Sequence, residues 1–355
     1  MDQFHQKVAQ IIQHNGFKNN DQGLMHGNTG LSVLFYHLAQ KTALPEYQKT
    51  ADDLISEVFS NLNSSSPADF ETGLAGIGWG VEYLIQNNFV EGDSDDILEE
   101  VDNKVFRVLN EESINSLEVS NGLTGYLLYL SSRLKNKSPY SSMPQQINRE
   151  LLILTINRIY EIATTQLPFI VKDISFDLLW RYPMIIYGLS EAFKLNIHNE
   201  KISCMMKQWT TSFESYIPSM QIYRLYLAVA LMRMHSQIPL ARLEKQIQIL
   251  LFSTDFNIVK SEINPGLMNV RFGWPGFVIV LQAALKLFSS SYPNYSEIKS
   301  TYEFICDKYL NTLNDLKVSP ITPRARQMGI SEGIAGLGLF SLFMPDLIQK
   351  SKVNV

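Results

Sequence analysis

Near the end of the chain, the sequence Gly333-Ile334-Ala335-Gly336-Leu337-Gly338 opens an apolar segment with two glycines three residues apart. Nearly the same stretch occurs earlier, as Gly73-Leu74-Ala75-Gly76-Ile77-Gly78. The Gly-x-x-Gly spacing begins three more apolar segments, namely Gly27-Asn28-Thr29-Gly30, Gly122-Leu123-Thr124-Gly125 and Gly273-Trp274-Pro275-Gly276. Five copies of one signature indicate a protein built from internal repeats.

The spacing of the copies predicts two further, degenerate repeats. Successive first glycines lie 46, 49, 151 and 60 residues apart, and 151 is about three times the short spacing. The long gap contains two candidates. Tyr182–Gly188 keeps one glycine before an apolar stretch, and Met220–Met234 keeps helical periodicity without glycine. The sequence therefore predicts seven repeats.

Amphipathic helices separate the apolar segments, and their charges cluster on one face. A helix that is apolar nearly all round must be covered on every side, whereas an amphipathic helix needs one partner face. Alternation of the two kinds predicts an all-α fold, an α/α toroid of seven inner and seven outer helices in a single domain, 1–355. The predicted outer helices are the N-terminal segment 1–14 and Glu46–Leu62, Asp95–Asn110, Gln145–Ala163, Lys201–Tyr216, Leu240–Phe252 and Tyr295–Leu316.

Glycine at the start of each inner helix needs an explanation, because glycine within a helix costs up to ~1 kcal/mol relative to alanine. One explanation is steric: converging helix ends crowd one rim, and only glycine or alanine lets the backbones pass. The other is functional, since helix N-termini around one opening present free N–H groups and positive dipole ends to a ligand. Both can hold together.

Composition excludes several function classes. The 355 residues are 45% apolar and 18% charged, with a net charge of −5, so the chain lacks the basic field of a nucleic-acid-binding protein. No apolar stretch reaches the roughly 20 residues of a membrane span. The N-terminus lacks the features of a signal peptide, which predicts a cytoplasmic protein. Cys204 and Cys306 are too few for a disulfide framework and are expected in the core.

The repeats, above all Gly73–Gly78 and Gly333–Gly338, resemble those of the lanthionine synthetase C-like family, also called lanthionine cyclases. The resemblance covers essentially the whole chain and implies a seven-plus-seven helical toroid. It also implies maturation of a ribosomally made precursor peptide, in partnership with a peptide dehydratase. In the family, a zinc ion held by two Cys and one His activates a substrate Cys thiol, which adds to a dehydrated Ser or Thr.

The zinc ligands of the family are replaced in this sequence. The family segment Trp-Cys-Tyr-Gly-x-Pro-Gly resembles Val270–Gly276, which places Arg271 at the first Cys position. The segment Cys-His-Gly-x-x-Gly resembles Ser331–Gly336, which places Ser331 and Glu332 at the second Cys and the His. Arginine cannot ligate a metal, and a hydroxyl with one carboxylate substitutes poorly for thiolate and imidazole. The sequence predicts no zinc and no other cofactor.

Other candidate site residues follow from the same resemblance. An active-site Ala-His-Gly of the family resembles Arg181-Tyr182-Pro183, whereas an Asp before the second repeat persists as Asp69. His26 directly precedes Gly27 and is expected to cap or line the rim. The predicted catalytic residues are Asp69, Tyr182, Arg271, Ser331 and Glu332, and the predicted substrate-binding residues are His26, Arg181 and Trp274.

Several functions remain open for this set of residues. Arg271 and Glu332 could form an ion pair that only fills the space of a lost metal, or Arg271 could lower the pKa of a substrate thiol while Glu332 or Asp69 moves a proton. The chain would then be either a divergent cyclase or a non-catalytic peptide-binding relative. The alternative is a glycan-processing toroid enzyme with Asp69 and Glu332 as its two carboxylates, roughly 6.5–9.5 Å apart for an inverting mechanism.

Overall fold

The computed structural model describes residues 2–15, 21–63, 65–137, 142–166, 175–213, 216–314 and 325–343. Within these ranges the chain forms helices and no strand. In chain order the helices are α1 (Asp2–Asn15), α2 (Asn28–Thr42), α3 (Pro45–Asn61), α4 (Leu74–Gln86), α5 (Ser94–Ile97), α6 (Glu99–Glu111), α7 (Leu123–Leu134), α8 (Met143–Gln166), α9 (Arg181–Lys194), α10 (Asn199–Phe213), α11 (Gln221–His235), α12 (Ala241–Phe252), α13 (Phe256–Glu262), α14 (Trp274–Leu287), α15 (Tyr295–Asn314), α16 (Ala325–Met328) and α17 (Ile334–Phe343).

Seven apolar helices begin at the seven predicted repeats, including the two degenerate ones: α2, α4, α7, α9, α11, α14 and α17. Seven amphipathic segments alternate with them in the described ranges: α1, α3, α6, α8, α10, α12 and α15. This alternation confirms the predicted all-α class with seven helices of each kind. None of the helices in the described ranges is long and apolar enough to cross a membrane.

Some predicted boundaries differ from the observed ones. The helix predicted from Asp95 is divided into α5 and α6, because the Asp93 carboxylate accepts a hydrogen bond from the Asp95 N–H and starts a separate turn. The helix predicted over 201–216 runs from Asn199 to Phe213 instead. The end of the helix predicted over 295–316 lies outside the described residues.

The contacts of the chain group into two compact units. The first comprises residues 1–105, 265–275 and 305–355, and the second comprises residues 106–264 and 276–304. In the first unit, α2 packs against α3, α4 and α17, and α1 packs against α17. In the second unit, α9 packs against α7 and α11, which in turn pack against the amphipathic helices α8 and α12. In both units, apolar helices therefore bury their surface against one another and against amphipathic partners.

The repeated glycines make room for the loop that precedes their own helix. A Cβ added to Gly73, Gly122 or Gly333 would lie 2.5 Å from a carbonyl oxygen six residues earlier in the chain, that of Pro67, Ser116 or Gln327 respectively. A Cβ fits at that distance only if the backbone shifts, so alanine is disfavoured as well. This finding corrects the expectation that crowding between neighbouring helix ends, which alanine would also relieve, explains these glycines.

The repeat without glycine begins its helix in another way. Glu262, the last residue of α13, accepts hydrogen bonds from the backbone N–H groups of Gln221 (2.7 Å) and Ile222 (2.9 Å) at the start of α11. A carboxylate at this place satisfies two of the free N–H groups and opposes the positive end of the helix dipole. The N-terminus of α11 is therefore capped by a side chain from a later helix.

Candidate functional site

Backbone hydrogen bonds join four loops of the first unit, those before α2, α4, α14 and α17. The Met25 N–H donates to the Glu71 carbonyl (3.2 Å), the Ser331 N–H donates to the Met25 carbonyl (3.1 Å), and the Arg271 N–H donates to the Ser331 carbonyl (3.0 Å). Each of these four residues lies two positions before the first glycine of its repeat. We call Met25, Glu71, Arg271 and Ser331 the loop ladder. The repeat register thus places equivalent positions of four repeats side by side.

Four side chains form an ionic cluster on this ladder. The His26 Nε2 lies 2.8 Å from Glu71 Oε1, and the Arg271 Nη1 lies 3.8 Å from the same oxygen and 3.5 Å from Glu332 Oε1. The side chain of His26 is 1% exposed, whereas those of Glu71, Arg271 and Glu332 are 20%, 19% and 21% exposed. We call these four residues the ionic cluster. Its charged groups can be reached from solvent, while its imidazole is buried.

The ionic cluster favours the charged form of Glu71. The pKa of the Glu71 carboxyl is lowered from its ordinary value, first by the hydrogen bond with His26 and further by the positive charges of Arg271 and Arg326, against an opposing effect of burial. Glu71 is therefore a carboxylate at neutral pH. A carboxylate of low pKa is a weak base and does not supply a proton to a leaving group.

The structure brings together the three residues that sequence comparison placed at the family's zinc ligands. Arg271 and Ser331 are neighbours in the loop ladder, and Glu332 follows Ser331 into the ionic cluster. His26, predicted to line the rim, belongs to the same cluster. Glu71 was missed, although it lies two residues before Gly73 just as Arg271 lies two residues before Gly273. Comparison of that position between repeats would have found it.

Two predicted site residues of the first unit, Asp69 and Trp274, are not part of the ionic cluster. The Asp69 carboxylate accepts a hydrogen bond from the Thr72 N–H (2.8 Å) and organises the loop before α4, so its catalytic role stays a prediction. Trp274 is fully buried, and its ring meets that of Phe340 edge to face at 5.5 Å. This burial corrects the expectation that Trp274 offers its ring to a substrate.

The remaining two predicted residues, Arg181 and Tyr182, lie in the second unit at the start of α9. The Arg181 Nε donates to Glu118 Oε1 at 2.7 Å, and this ion pair is about one-third exposed. Tyr182 is buried, with its ring 5.6 Å from that of Trp180 and 5.7 Å from that of Tyr216. Their roles in catalysis and binding stay predictions.

The donor set of the ionic cluster differs from the zinc site that the family resemblance implies. The ligand atoms of His26, Glu71 and Glu332 all lie within 4.8 Å of one another, the one such group in the part of the chain that the structure describes. It offers one imidazole and two carboxylates but no thiolate, because Cys204 lies in α10 and Cys306 in α15. A guanidinium also stands beside both carboxylates. These residues do not fit a zinc ion held by two Cys and one His.

Comparisons with known proteins agree with this architecture. The solved structure of nisin cyclase matches the chain with a TM-score of 0.69 and 15% sequence identity, over 97% of this chain and 93% of that chain. This likeness shows that the two share the α/α toroid fold. No curated protein matches the sequence. The model of a family described as lanthionine synthetase C-like protein matches residues 18–170. This match supports a relation of the chain to the lanthionine synthetase C-like family.

Proposed function

We propose that this chain binds a ribosomally made precursor peptide during its maturation and contacts the peptide through the ionic cluster. The family and the fold support a role of the lanthionine-cyclase type. The observation that carries the proposal is that the loop ladder brings together the partly exposed side chains of Glu71, Arg271 and Glu332. The family resemblance aligns two of these residues, Arg271 and Glu332, with metal ligands. A peptide dehydratase that supplies the modified precursor is part of the same proposal.

The geometry favours peptide recognition over thiol chemistry. A general base must reach the proton that it removes, but the imidazole of His26 is buried and hydrogen-bonded to Glu71. Glu71 itself is a weak base because its pKa is lowered. Partly exposed carboxylates and a guanidinium, in contrast, are suited to charged and polar groups of a peptide. The ionic cluster therefore acts as a binding surface in this proposal.

A divergent thioether cyclase is the second candidate, and the guanidinium of Arg271 is the observation that favours it. A positive charge within about 4–6 Å of a thiol favours the thiolate. Arg271 is partly exposed, so a substrate Cys could approach it. In this second proposal Arg271 takes over part of the role of the metal, and Glu332 accepts the thiol proton.

A binding assay with two matched variants tests the first proposal. A dehydrated, Cys-containing precursor peptide from the host would be titrated into the wild-type chain, Glu332→Ala and Glu297→Ala. Glu297 is an exposed glutamate on α15 in the second unit and serves as the control. We expect Glu332→Ala to weaken binding at least tenfold and Glu297→Ala to leave it unchanged. Equal binding by all three proteins would refute the role of the ionic cluster.

Thiol counting separates the two candidates. Cyclisation adds a thiol across a double bond without changing the peptide mass, so free thiols are counted by alkylation and mass spectrometry. A pure binding protein leaves the thiol count of the dehydrated peptide unchanged over hours, whereas a cyclase lowers it with time. Loss of thiols that depends on Arg271 would favour the cyclase and overturn the binding-only proposal. The double variant Asp69→Ala, Glu332→Ala then tests whether either carboxylate takes part.

The glycan-processing alternative gains no support from the described residues. Its two carboxylates would be Asp69 and Glu332, but Asp69 is engaged with the Thr72 N–H. The carboxylate that approaches Glu332 is Glu71, with oxygens within 4.8 Å, closer than the roughly 6.5–9.5 Å of an inverting pair. Its pKa is lowered, whereas a glycosidase acid needs a raised one.

A further inference from the structure

We propose that His26, Glu71 and Glu332 form a latent divalent-cation site and that the guanidinium of Arg271 takes the place of the cation. This inference goes beyond the proposed peptide-binding function, because it concerns the chain without any peptide. It predicts that wild-type protein binds divalent ions weakly and that removal of one side chain creates a metal site.

The donor atoms are already close to a metal-binding arrangement. Zinc binds imidazole nitrogen and carboxylate oxygen at about 2.0–2.2 Å, so two ligands of one tetrahedral ion lie roughly 3.4 Å apart. The ligand atoms of His26, Glu71 and Glu332 lie within 4.8 Å of one another, with His26 Nε2 and Glu71 Oε1 at 2.8 Å. Side-chain movements of about 1 Å would therefore complete a three-ligand site.

The backbone holds these donors in place. Glu71 is part of the loop ladder, and His26 and Glu332 each follow a ladder residue, Met25 and Ser331. Because three backbone hydrogen bonds fix the relative positions of the loops, the donors do not need to be gathered when an ion binds. A pre-arranged site binds more tightly than one that must first be ordered.

Arg271 is the reason that the site stays closed to a metal. Its Nη1 is 3.5 Å from Glu332 and 3.8 Å from Glu71, so one fixed positive charge serves both carboxylates. A divalent ion beside it would be repelled by the like charge. Both distances from Nη1 exceed the 2.7–2.9 Å of a tight charge-assisted hydrogen bond.

The test compares zinc binding by four full-length proteins, purified without a histidine tag and stripped of metal. Isothermal titration with Zn²⁺ is applied to wild type, Arg271→Ala, Arg271→Lys and the double variant Arg271→Ala, Glu332→Gln. We expect Arg271→Ala to bind one Zn²⁺ per chain at least tenfold more tightly than wild type. Arg271→Lys keeps a positive charge and should behave as wild type, and the double variant should lose the gain because it lacks one ligand.

Three results would overturn the inference. They are stoichiometric zinc binding by wild type as tight as that of Arg271→Ala, no gain in Arg271→Ala, and an undiminished gain in the double variant. Circular dichroism checks folding, and Arg271→Gln replaces Arg271→Ala if the latter does not fold, since it removes the charge and keeps more of the side chain. Co²⁺ absorption gives a second readout of ligand number. Because no peptide is present, failure here leaves the peptide-binding proposal to its own assay.

Discussion

Substitution of two glycines in α17 by alanine should have unequal effects on stability, although the two positions lie only two residues apart. A Cβ on Gly336 would lie 2.9 Å from the carbonyl carbon of Ile330 and closer still to its oxygen. A Cβ on Gly338 would lie 2.9 Å from Leu34 Cδ1, the end of a flexible side chain. A leucine side chain can move to relieve the contact, whereas the backbone at Ile330 is held next to Ser331 of the loop ladder.

The magnitudes follow from the contacts at each position. Both variants gain up to about 1 kcal/mol in helix propensity. In Gly336→Ala, the carbonyl oxygen of Ile330, the atom closest to the new Cβ, must retreat by about 1 Å to reach ordinary contact, and forced shifts of this kind cost roughly 1–3 kcal/mol. The shift also strains the hydrogen bond from the Gly336 N–H to the Gly329 carbonyl (3.3 Å), worth about 1 kcal/mol. We expect Gly336→Ala to lower the free energy of unfolding by about 2 kcal/mol and Gly338→Ala to change it by less than about 1 kcal/mol.

Urea denaturation followed by circular dichroism measures the difference, provided that the slope of free energy against urea is the same for both variants. Gly338→Ala is the matched control, since it adds the same methyl group to the same helix. Equal stability of the two variants would refute the reasoning that backbone contact, rather than local crowding in general, requires Gly336. A more stable Gly336→Ala would refute it as well.

Three further predictions concern single interactions. Glu262→Ala should lower the free energy of unfolding by about 1–3 kcal/mol in urea denaturation, because α11 loses its two capping hydrogen bonds, and Glu262→Gln should lose less. Glu71 stabilises the fold at pH values above the ordinary glutamate pKa of 4.5, and this contribution is lost as pH falls through its lower folded-state pKa. The difference in the free energy of unfolding between wild type and Glu71→Gln, measured from pH 6 to 3, should therefore shrink toward low pH. Arg181→Ala should change stability by no more than about 1 kcal/mol by the same measurement, since its ion pair with Glu118 is partly exposed; a larger loss would indicate that Arg181 has a packing role.

The seven-repeat fold could be predicted because apolarity and glycine spacing are local properties of the sequence. Even the repeat without glycine, at 220–234, was recognisable from its helical periodicity. The capping of that repeat by Glu262 could not be predicted, because the carboxylate comes from 41 residues later in the chain. The physical role of the repeated glycines was also hidden, since the sequence does not show that each loop folds back over its own helix.

The candidate site was predictable only in part, because some of its residues are recognisable from local motifs and others only from contacts between distant segments. Alignment to family motifs placed Arg271, Ser331 and Glu332 at related positions, and the backbone hydrogen bonds of the loop ladder bring them together. Glu71 was overlooked because a single glutamate before a repeat carries no chemical signal by itself. The role of Glu71 depends on which repeats are neighbours in the loop ladder, and the sequence near Glu71 does not show which repeats these are. The burial of Trp274 could not be predicted from its own segment, because its ring packs against Phe340 from another helix.

The charge of the ionic cluster bears directly on the choice between peptide binding and cyclisation. Two carboxylates, those of Glu71 and Glu332, flank the guanidinium of Arg271, and the positive charge of Arg326 also acts on Glu71. The two carboxylates raise the pKa of a thiol beside them and so oppose the effect of Arg271 on that thiol. A zinc ion would have the opposite effect, because it favours the thiolate that it binds. Thiol activation by Arg271 would therefore require the peptide to draw the guanidinium away from both carboxylates, whereas binding of the peptide's polar groups requires no such rearrangement.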